Sequence, residues 1–501
     1  MPSAWAVTYG AEKAMNLPLQ LDRRDAIPLQ DQLFEQLRQM IVTGKLKPNS
    51  RVIATRFLAE QAGVSRTTVL LAYERLISEG YLETRPAIGT FVCASLPDGP
   101  KPKSVRNSSA DIPRHASLYP AVFHGSPTPK PYVPDQTIDF SLSRHDASHL
   151  LPPKVWLQGV RSVLAREPDG MAVPLPAAGV ASLRRVIVDY LAATRGIMAA
   201  PEQVIIVVGR RQACGLVAHL FQRRGARVVL EAPGEDAVAN FFKARDAELV
   251  HVPVDEHGLQ TDRLPRGPVS MAYVTPARHN PIGGTMPQAR RAALIGWARE
   301  SGAYLLEDDS DSEFRYHGTT ALPLAALDPY GLVFYTGSFA KTLGAGVGLG
   351  YLVVPAEFVD AILAIKSMAE DGRPWLEQMV IRDLLTSGEY EHHLRRVRKV
   401  YLERRDCLIE ALRAHFGDIR LIGTETGTQL TWVLPDEISS ARAVCDAARA
   451  HGVNIERVVA INPETAKVCR FHDRALVFGY SALTTEQLQQ GVARLADALS
   501  V

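Results

Sequence analysis

The residues best placed to do chemistry lie between Tyr304 and Pro355. Tyr304 opens the run YLLEDDSDSEFRYHG, and VFYTGSFAKTLGAGVGLGYLVVP follows after a loop. Two apolar, β-rich runs, 303–306 and 332–336, predict strands. Each delivers polar residues at its C-terminal end: Glu307, Asp308 and Asp309 after the first, and Ser338 after the second, with Lys341 beside it in a glycine-rich setting. In an open parallel α/β sheet that edge is where ligands bind. A carboxylate and a lysine brought to one edge suit pyridoxal phosphate (PLP). The lysine forms a Schiff base with the aldehyde, and the acid keeps the pyridine nitrogen protonated so that the ring acts as an electron sink. Taken singly, the same residues also suit a surface lysine and an acidic loop.

The elements that must position these groups belong to a long chain. At 501 residues it exceeds one ordinary domain, so two or more are expected. Apolar residues make up 46% and charged residues 22%, a globular composition. Net charge is +2, so a nucleic-acid contact must come from a local patch. The five cysteines (Cys93, Cys214, Cys407, Cys445 and Cys469) are scattered with no CxxC pair, which argues for a reducing cytosol and against zinc or a disulfide framework. The first residues make a poor signal peptide, and no apolar run is long enough to span a bilayer. A cytoplasmic protein without a membrane partner is expected.

Near the N-terminus, Leu29, Leu33, Leu37, Met40 and Ile41 recur at helical spacing until Gly44. Thr55 suits the cap of a short second helix through Leu58 and Ala59. Ala62-Gly63-Val64 is a turn, and Ser65 caps a third helix with Val69, Tyr73, Leu76 and Ile77 on its inner face. Runs 81–84 and 90–93 read as a β wing around 86–89. This is a winged helix-turn-helix pattern, whose second motif helix enters the major groove by its N-terminal end. Arg66, Thr67 and Thr68 stand there. A bidentate Arg66–guanine pair gives about 1–3 kcal/mol of discrimination. Arg56 suits a phosphate or base edge, and Gly89 and Thr90 suit a close backbone approach to DNA. A small three-helix domain that binds protein shares the pattern.

Residues 95–136 are rich in Pro, Ser and Lys without an apolar period, and read as a flexible tether. From 137 to 501, strands and helices alternate. Strand 204–208 leads through Gly209, Arg210, Arg211 and Gln212 into a helix, a strand–turn–helix start that favours phosphate. Strand 270–275 delivers Pro276, His279, Asn280 and Pro281. The alternation predicts an α/β doubly wound, mainly parallel sheet, with a smaller α+β lobe beyond 356.

The head, residues 21–94, resembles the winged helix-turn-helix of GntR-family bacterial transcription factors. The LR…I..GKLKP run, the R.LAEQ.GVSR.TV core and the Y..L..EGYLE…GTFV end carry that resemblance. It puts Arg56, Arg66, Thr68 and Gly89 at DNA-contacting positions; VIATR stands where the family usually has LPSSR, and keeps Arg56. TPARHNPIGGTM, YLLEDDSDSEFRY, LPLAALD, GSFAKTLGAGVGLGYLVVP and the closing ALVFGYSALTTEQLQQGVARLADAL make the body resemble a fold-type I, aspartate-aminotransferase-like domain. Head and body together resemble the MocR-type subfamily. That resemblance implies a homodimer on operator DNA whose body binds PLP, senses a small molecule such as an amine or amino acid, and has given up turnover. It assigns Lys341 to the Schiff base, Asp308 to the pyridine nitrogen, Asn280 to the ring hydroxyl, Ser338 to the phosphate, and 209–212 to the phosphate cradle.

Six positions depart from the family pattern. Ser310 replaces a tyrosine for the ring hydroxyl, and Gly348 an arginine for the phosphate. Glu235 stands at the ring-stacking position, Val477 replaces an arginine for a substrate carboxylate, and Arg210 and Arg211 replace small polar residues. Two expectations follow. In one, PLP binds and Arg210 or Arg211 supplies the phosphate's counter-charge. In the other, PLP is not used, Lys341 forms a plain ion pair with Asp308, and another small anion or a protein is the ligand. A working aminotransferase that carries a DNA-binding head is the remaining alternative.

Overall fold

The structure is a computed structural model. It describes residues 17–94, 137–142 and 151–499, except 24, 26, 87, 222, 224, 310, 319, 320, 371, 373, 439, 461 and 462. The tether expected over 95–136 lies outside the described residues, as does Ser310. The described residues fall into two compact units, one on either side of that stretch.

In the head, α1 (Leu29–Val42) buries Leu33, Phe34, Leu37, Met40 and Ile41, an i, i+4, i+7, i+8 stripe that closes on the other two helices. The second helix, α2 (Thr55–Ala62), buries Leu58 and Ala59 and ends at Gly63 in the left-handed conformation. Thr55 is the first helical residue rather than the cap: Ala54 holds that position and no side chain caps the helix. The third helix, α3 (Arg66–Ser78), is capped by Ser65, whose hydroxyl accepts from the Thr68 N–H at 3.1 Å. Its inner face is Val69, Ala72, Tyr73 and Leu76. Ile77 was expected there but is 36% exposed, because the stripe drifts toward Ala72 at 3.6 residues per turn. The buried Tyr73 hydroxyl donates to the Ile53 carbonyl at 2.8 Å, which ties α3 to the chain before α2.

The wing is a hairpin of β1 (Leu82–Arg85) and β2 (Gly89–Val92), with Arg85 opposite Gly89. Val52 N–H donates to the Thr90 carbonyl, and Val92 N–H to the Ser50 carbonyl, so the wing is anchored to the core. Gly89 has φ +135°, and a Cβ there would fall 2.7 Å from the Arg51 Nε. Its glycine therefore has an internal reason.

The body holds an eight-stranded sheet. Its strands are β3 (Val204–Val207), β4 (Arg227–Ala232), β5 (Glu248–Asp255), β6 (Gly258–Leu259), β7 (Met271–Val274), β8 (Tyr304–Asp308), β9 (Val333–Ser338) and β10 (Gly350–Val353). The spatial order is β3-β10-β9-β8-β7-β4-β5-β6. The run β9-β8-β7-β4-β5 is parallel, while β10 is antiparallel to both its neighbours and β6 folds back on β5. This is the doubly wound, mainly parallel form. One face, with Ile205, Leu230, Tyr273, Leu306 and Phe334, packs on α4 (Gly209–Leu220). The other, with Val229, Ala272, Val274 and Leu305, packs on α5 (Gln288–Ser301).

The smaller lobe is an antiparallel sheet of β11 (Arg420–Ile422), β12 (Gln429–Val433), β13 (Glu456–Arg457) and β14 (Ala475–Gly479), in the order β11-β12-β14-β13. The 28-residue α6 (Glu389–Phe416) and α7 (Thr485–Leu499) cover it through Val397, Tyr401, Leu408, Val492 and Leu495.

The Ser65 cap can be tested directly. Ser65→Ala removes the acceptor for one otherwise orphaned N–H and should cost about 1 kcal/mol. Amides of α3 should then exchange with deuterium about fivefold faster while those of the body are unchanged. Unaltered exchange in α3 would show that the cap contributes nothing.

Candidate DNA-facing helix and ligand cleft

The start of α3 presents Arg66 and Thr67 as exposed side chains, and its first turn carries no acid. Thr68 is half-buried and shares its hydroxyl with Ser65 at 2.8 Å. Arg56 is exposed near the start of α2, with its guanidinium 4.5 Å from the centre of the Phe57 ring. Thr90 is half-buried in the wing, and its carbonyl is already bonded to Val52. Thus Arg66 and Thr67 form one exposed helix end, while Thr68 and Gly89 also serve the head's own architecture.

In the body, sheet alternation sorts three consecutive acids. Glu307 points to the α5 face and accepts from the Leu324 and Ala325 N–H groups at 2.9 Å. Asp309 accepts from the Tyr335 hydroxyl at 2.5 Å and pairs with Arg195 at 3.3 Å, in a buried cluster. Of the three, Asp308 lines a cleft of about 890 Å³ at the C-terminal edge of β7, β8 and β9. Lys341, Asn280, Ser338, Arg210 and Arg211 line it too.

The cleft has two ends. At the floor, Asp308 Oδ2 accepts from the Tyr273 hydroxyl at 2.6 Å and from Arg210 Nη1 at 3.3 Å. The same Arg210 nitrogen donates to Glu235 Oε2 at 2.9 Å, and Asn280 Nδ2 donates to that oxygen at 2.9 Å. Burial works against the Arg210 charge, but Tyr273, Asp308 and Glu235 outweigh it and hold the guanidinium well above its ordinary value. Burial and Asp308 push the Tyr273 phenol up, so it stays a donor. At the other end, α4 begins at Gly209 (φ +72°), close to Gly348 (φ +58°), and a Cβ on either glycine would meet nothing closer than 3.9 Å. Ser338 and the exposed Arg211 stand beside them.

Lys341 Nζ donates to Asp311 Oδ1 at 2.6 Å. The ion pair expected with Asp308 is therefore absent: Asp308 is engaged by Arg210, and Asp311 reaches the lysine from the loop after β8. Arg278 lies 3.6 Å from Asp311. It is buried, and its Nε and Nη2 donate to the carbonyls of Thr426 (3.0 Å) and Gln429 (2.6 Å) in the smaller lobe. One further expectation is corrected. Arg210 was expected at the phosphate end but sits at the floor, because two carboxylates lie within its reach there. Gln212, expected in the phosphate cradle, stays in the first turn of α4, and its side-chain Oε1 accepts from the Val208 N–H at 2.7 Å. Val477 is a core residue of β14. Sequence reasoning missed Tyr273, Arg278 and Asp311. Period-two alternation back from Thr275 pointed to Tyr273, whereas Arg278 is defined by carbonyls 148 and 151 residues away.

Comparison with known proteins decides the family. Residues 139–495 match the aminotransferase class I and II family, and residues 29–92 match the bacterial regulatory proteins of the gntR family. The rhizopine catabolism regulatory protein MocR of Rhizobium meliloti, described as probable, is 31% identical over 493 residues, covering 96% of this chain and 95% of that one. The chain belongs to the MocR-type regulators of the gntR family. The regulator is also similar to the pyridoxine biosynthesis transcriptional regulator PdxR of Corynebacterium glutamicum (29% identity, 97% and 99% covered). Among solved structures it resembles LysN, an α-aminoadipate aminotransferase from Thermus thermophilus complexed with N-(5′-phosphopyridoxyl)-L-leucine. The TM-score is 0.65 at 27% identity, covering 73% of this chain and 92% of that one. Among the described residues, no helix is long and apolar enough to cross a membrane.

The residues present fit PLP at both ends. Gly209 and Gly348 leave room for a phosphate at the start of α4, with Ser338 and Arg211 beside it. Asp308 supplies a buried carboxylate at the floor. Among the described residues, the Arg210 guanidinium already pairs with that carboxylate.

Beneath the cleft, Glu231 accepts from the Thr275 hydroxyl at 2.6 Å, and Thr275 Oγ1 accepts from the Asn280 N–H at 3.3 Å. Burial pushes Glu231 from 4.5 up to about 7, and pushes the neighbouring His279 down to about 3. The folded state therefore holds the Glu231 proton more tightly than the unfolded state. That contribution is full below pH 4.5 and is lost as pH rises through 7. Glu231→Gln cannot ionise. Its stability relative to wild type should rise between pH 5 and 8.5 by about 3 kcal/mol, read from urea midpoints. Parallel curves for the two proteins would rule this out.

Proposed function

We propose that this regulator is a cytoplasmic homodimer that reads operator DNA with the start of α3 and takes PLP, with a small amine or amino acid as effector, in the cleft of its body. One observation carries the reading. A single chain joins an acid-free helix start bearing exposed Arg66 and Thr67 to a cleft lined by Lys341, Asp308 and Asn280.

On the DNA side, Arg66 reads a base edge in the major groove, and Thr67, Thr68 and Arg56 fix the head on phosphates. Gly89 and Thr90 let the wing backbone lie close to the duplex. A dimer binds two half-sites, so the operator is a palindrome or a direct repeat.

On the ligand side, PLP supplies an aldehyde and an electron-withdrawing ring when bound. Lys341 would hold the aldehyde through its Nζ with loss of water, Asp308 would keep the pyridine nitrogen protonated, and Asn280 would serve the ring hydroxyl. Ser338, Arg211 and the α4 N–H groups hold the phosphate. Gly348 offers no cation for the phosphate and Val477 none for a substrate carboxylate, which supports sensing without significant transaminase turnover. The name of PdxR ties that relative to pyridoxine biosynthesis, which makes cofactor supply one response to examine here.

Arg66→Ala should weaken operator binding by about 1–3 kcal/mol, roughly 5- to 150-fold in Kd at fixed salt, while the body's melting is unchanged. Full operator affinity in that variant would remove Arg66 from the interface. For the cleft, PLP followed by borohydride should leave a covalent adduct on the peptide that holds Lys341, and none in Lys341→Ala. A turnover assay with amino donors and a keto-acid acceptor should stay at background; clear turnover would favour the enzyme reading.

A further inference from the structure

We infer that Arg210 is a built-in occupant of the floor of the cleft: its guanidinium holds the place on Asp308 that the cofactor's pyridinium would take, so the chain's own cation competes with PLP and sets the concentration at which the cleft fills. This rests on the PLP reading above and adds a device to it.

The argument starts from charge. Asp308 is 3% exposed and Glu235 19% exposed. Two carboxylates so placed need a cation or a proton. Arg210 Nη1 meets both, at 3.3 Å and 2.9 Å, and lies 3.4 Å from the Tyr273 hydroxyl. It thereby makes a charge-assisted hydrogen bond to Asp308 Oδ2, the partner that the PLP reading gives to the pyridinium N–H. That oxygen also accepts from the Tyr273 hydroxyl at 2.6 Å, so a pyridinium N–H aimed at it competes with these two donors. Tyr273 is fixed in β7 and fully buried, whereas the Arg210 side chain keeps 26% of its surface exposed and hangs on a long flexible stem. Arg210 is the group that leaves.

Glu235 completes the device. It stands 25 residues from Arg210, at the entry to the helix after β4, and its second partner is Asn280. With Arg210 in place, both carboxylates and the asparagine are satisfied together. Removing Arg210 leaves Asp308 without that cation, which favours an incoming pyridinium.

The test is titration of the full-length protein with PLP, and with pyridoxine 5′-phosphate, which lacks the aldehyde and so reads the non-covalent site without Lys341. Wild type is compared with Arg210→Gln and with the charge-balanced Arg210→Gln/Glu235→Gln, which removes one cation and one anion together and guards against misfolding of the single variant. Both ligands should bind the variants at least tenfold more tightly, and the PLP concentration that half-shifts operator binding should fall in step. Equal or weaker binding by the variants, with wild type still binding, overturns the inference. Binding by none of the three proteins at saturating ligand overturns the PLP reading and this inference together.

Discussion

A carboxylate at the floor of a narrow cleft has to be paired, and the rest of this site follows from how Asp308 is paired. Its alternation partner Glu307 solves the problem on the other face with two helix N–H groups, and Asp309 solves it with Tyr335 and Arg195. For Asp308 the chain supplies Arg210 and Tyr273. Once Arg210 is committed there, its nitrogen can serve a second acid, and Glu235 fits at 2.9 Å. Glu235 in turn gives Asn280 an acceptor. Five polar residues from five places along the chain become one network with a single cation at its centre.

That network changes how two departures from the family pattern are understood. In the sequence, Glu235 at the ring-stacking position and Arg210 in the phosphate turn look like two separate losses. In the fold they are one ion pair, each compensating the charge the other brings. A glutamate alone beside Asp308 would add a second buried anion, and an arginine alone would leave the turn with an unmatched long side chain. Together they are electrically neutral and let the floor of the cleft stay closed on itself.

The architecture was legible because it rests on local periodicities. Helical spacing gave α1 to α3, the Ser65 cap gave the start of α3, and strand–helix alternation gave the parallel sheet with its polar edge. The convergence of Lys341, Asp308 and Asn280 on one cleft was legible for the same reason, since strand ends share an edge. What the sequence concealed is which neighbour each polar group meets once it arrives. Lys341 goes to Asp311, thirty residues back along the chain, and not to Asp308. Gln212 turns back to cap its own helix. Such choices depend on side-chain reach among several acids within a few ångströms, and neither period nor composition carries that information. Ile77 and Thr55 in the head differ from expectation for a smaller reason: the end of a helix shifts by a residue, and the face it buries shifts with it.

Arg278 links the cleft to the lobe that closes one side of it. Its guanidinium is gripped by the carbonyls of Thr426 and Gln429, and a Cβ on Gly427 would fall 2.0 Å from its Nε. Its remaining nitrogen looks toward Asp311, and Asp311 holds Lys341. A ligand that takes Lys341 from Asp311 therefore changes the charge balance around the side chain that joins the two lobes. A regulator needs a ligand to be felt beyond its own contacts, and that requires a difference in interaction between two arrangements of the protein. An enzyme of this fold directs such contacts at a reacting bond. Here Gly348 and Val477 carry no charge where the family pattern has arginines for the phosphate and for a substrate carboxylate, while the Arg278–Asp311–Lys341 chain joins the cleft to the lobe around it by direct polar contacts.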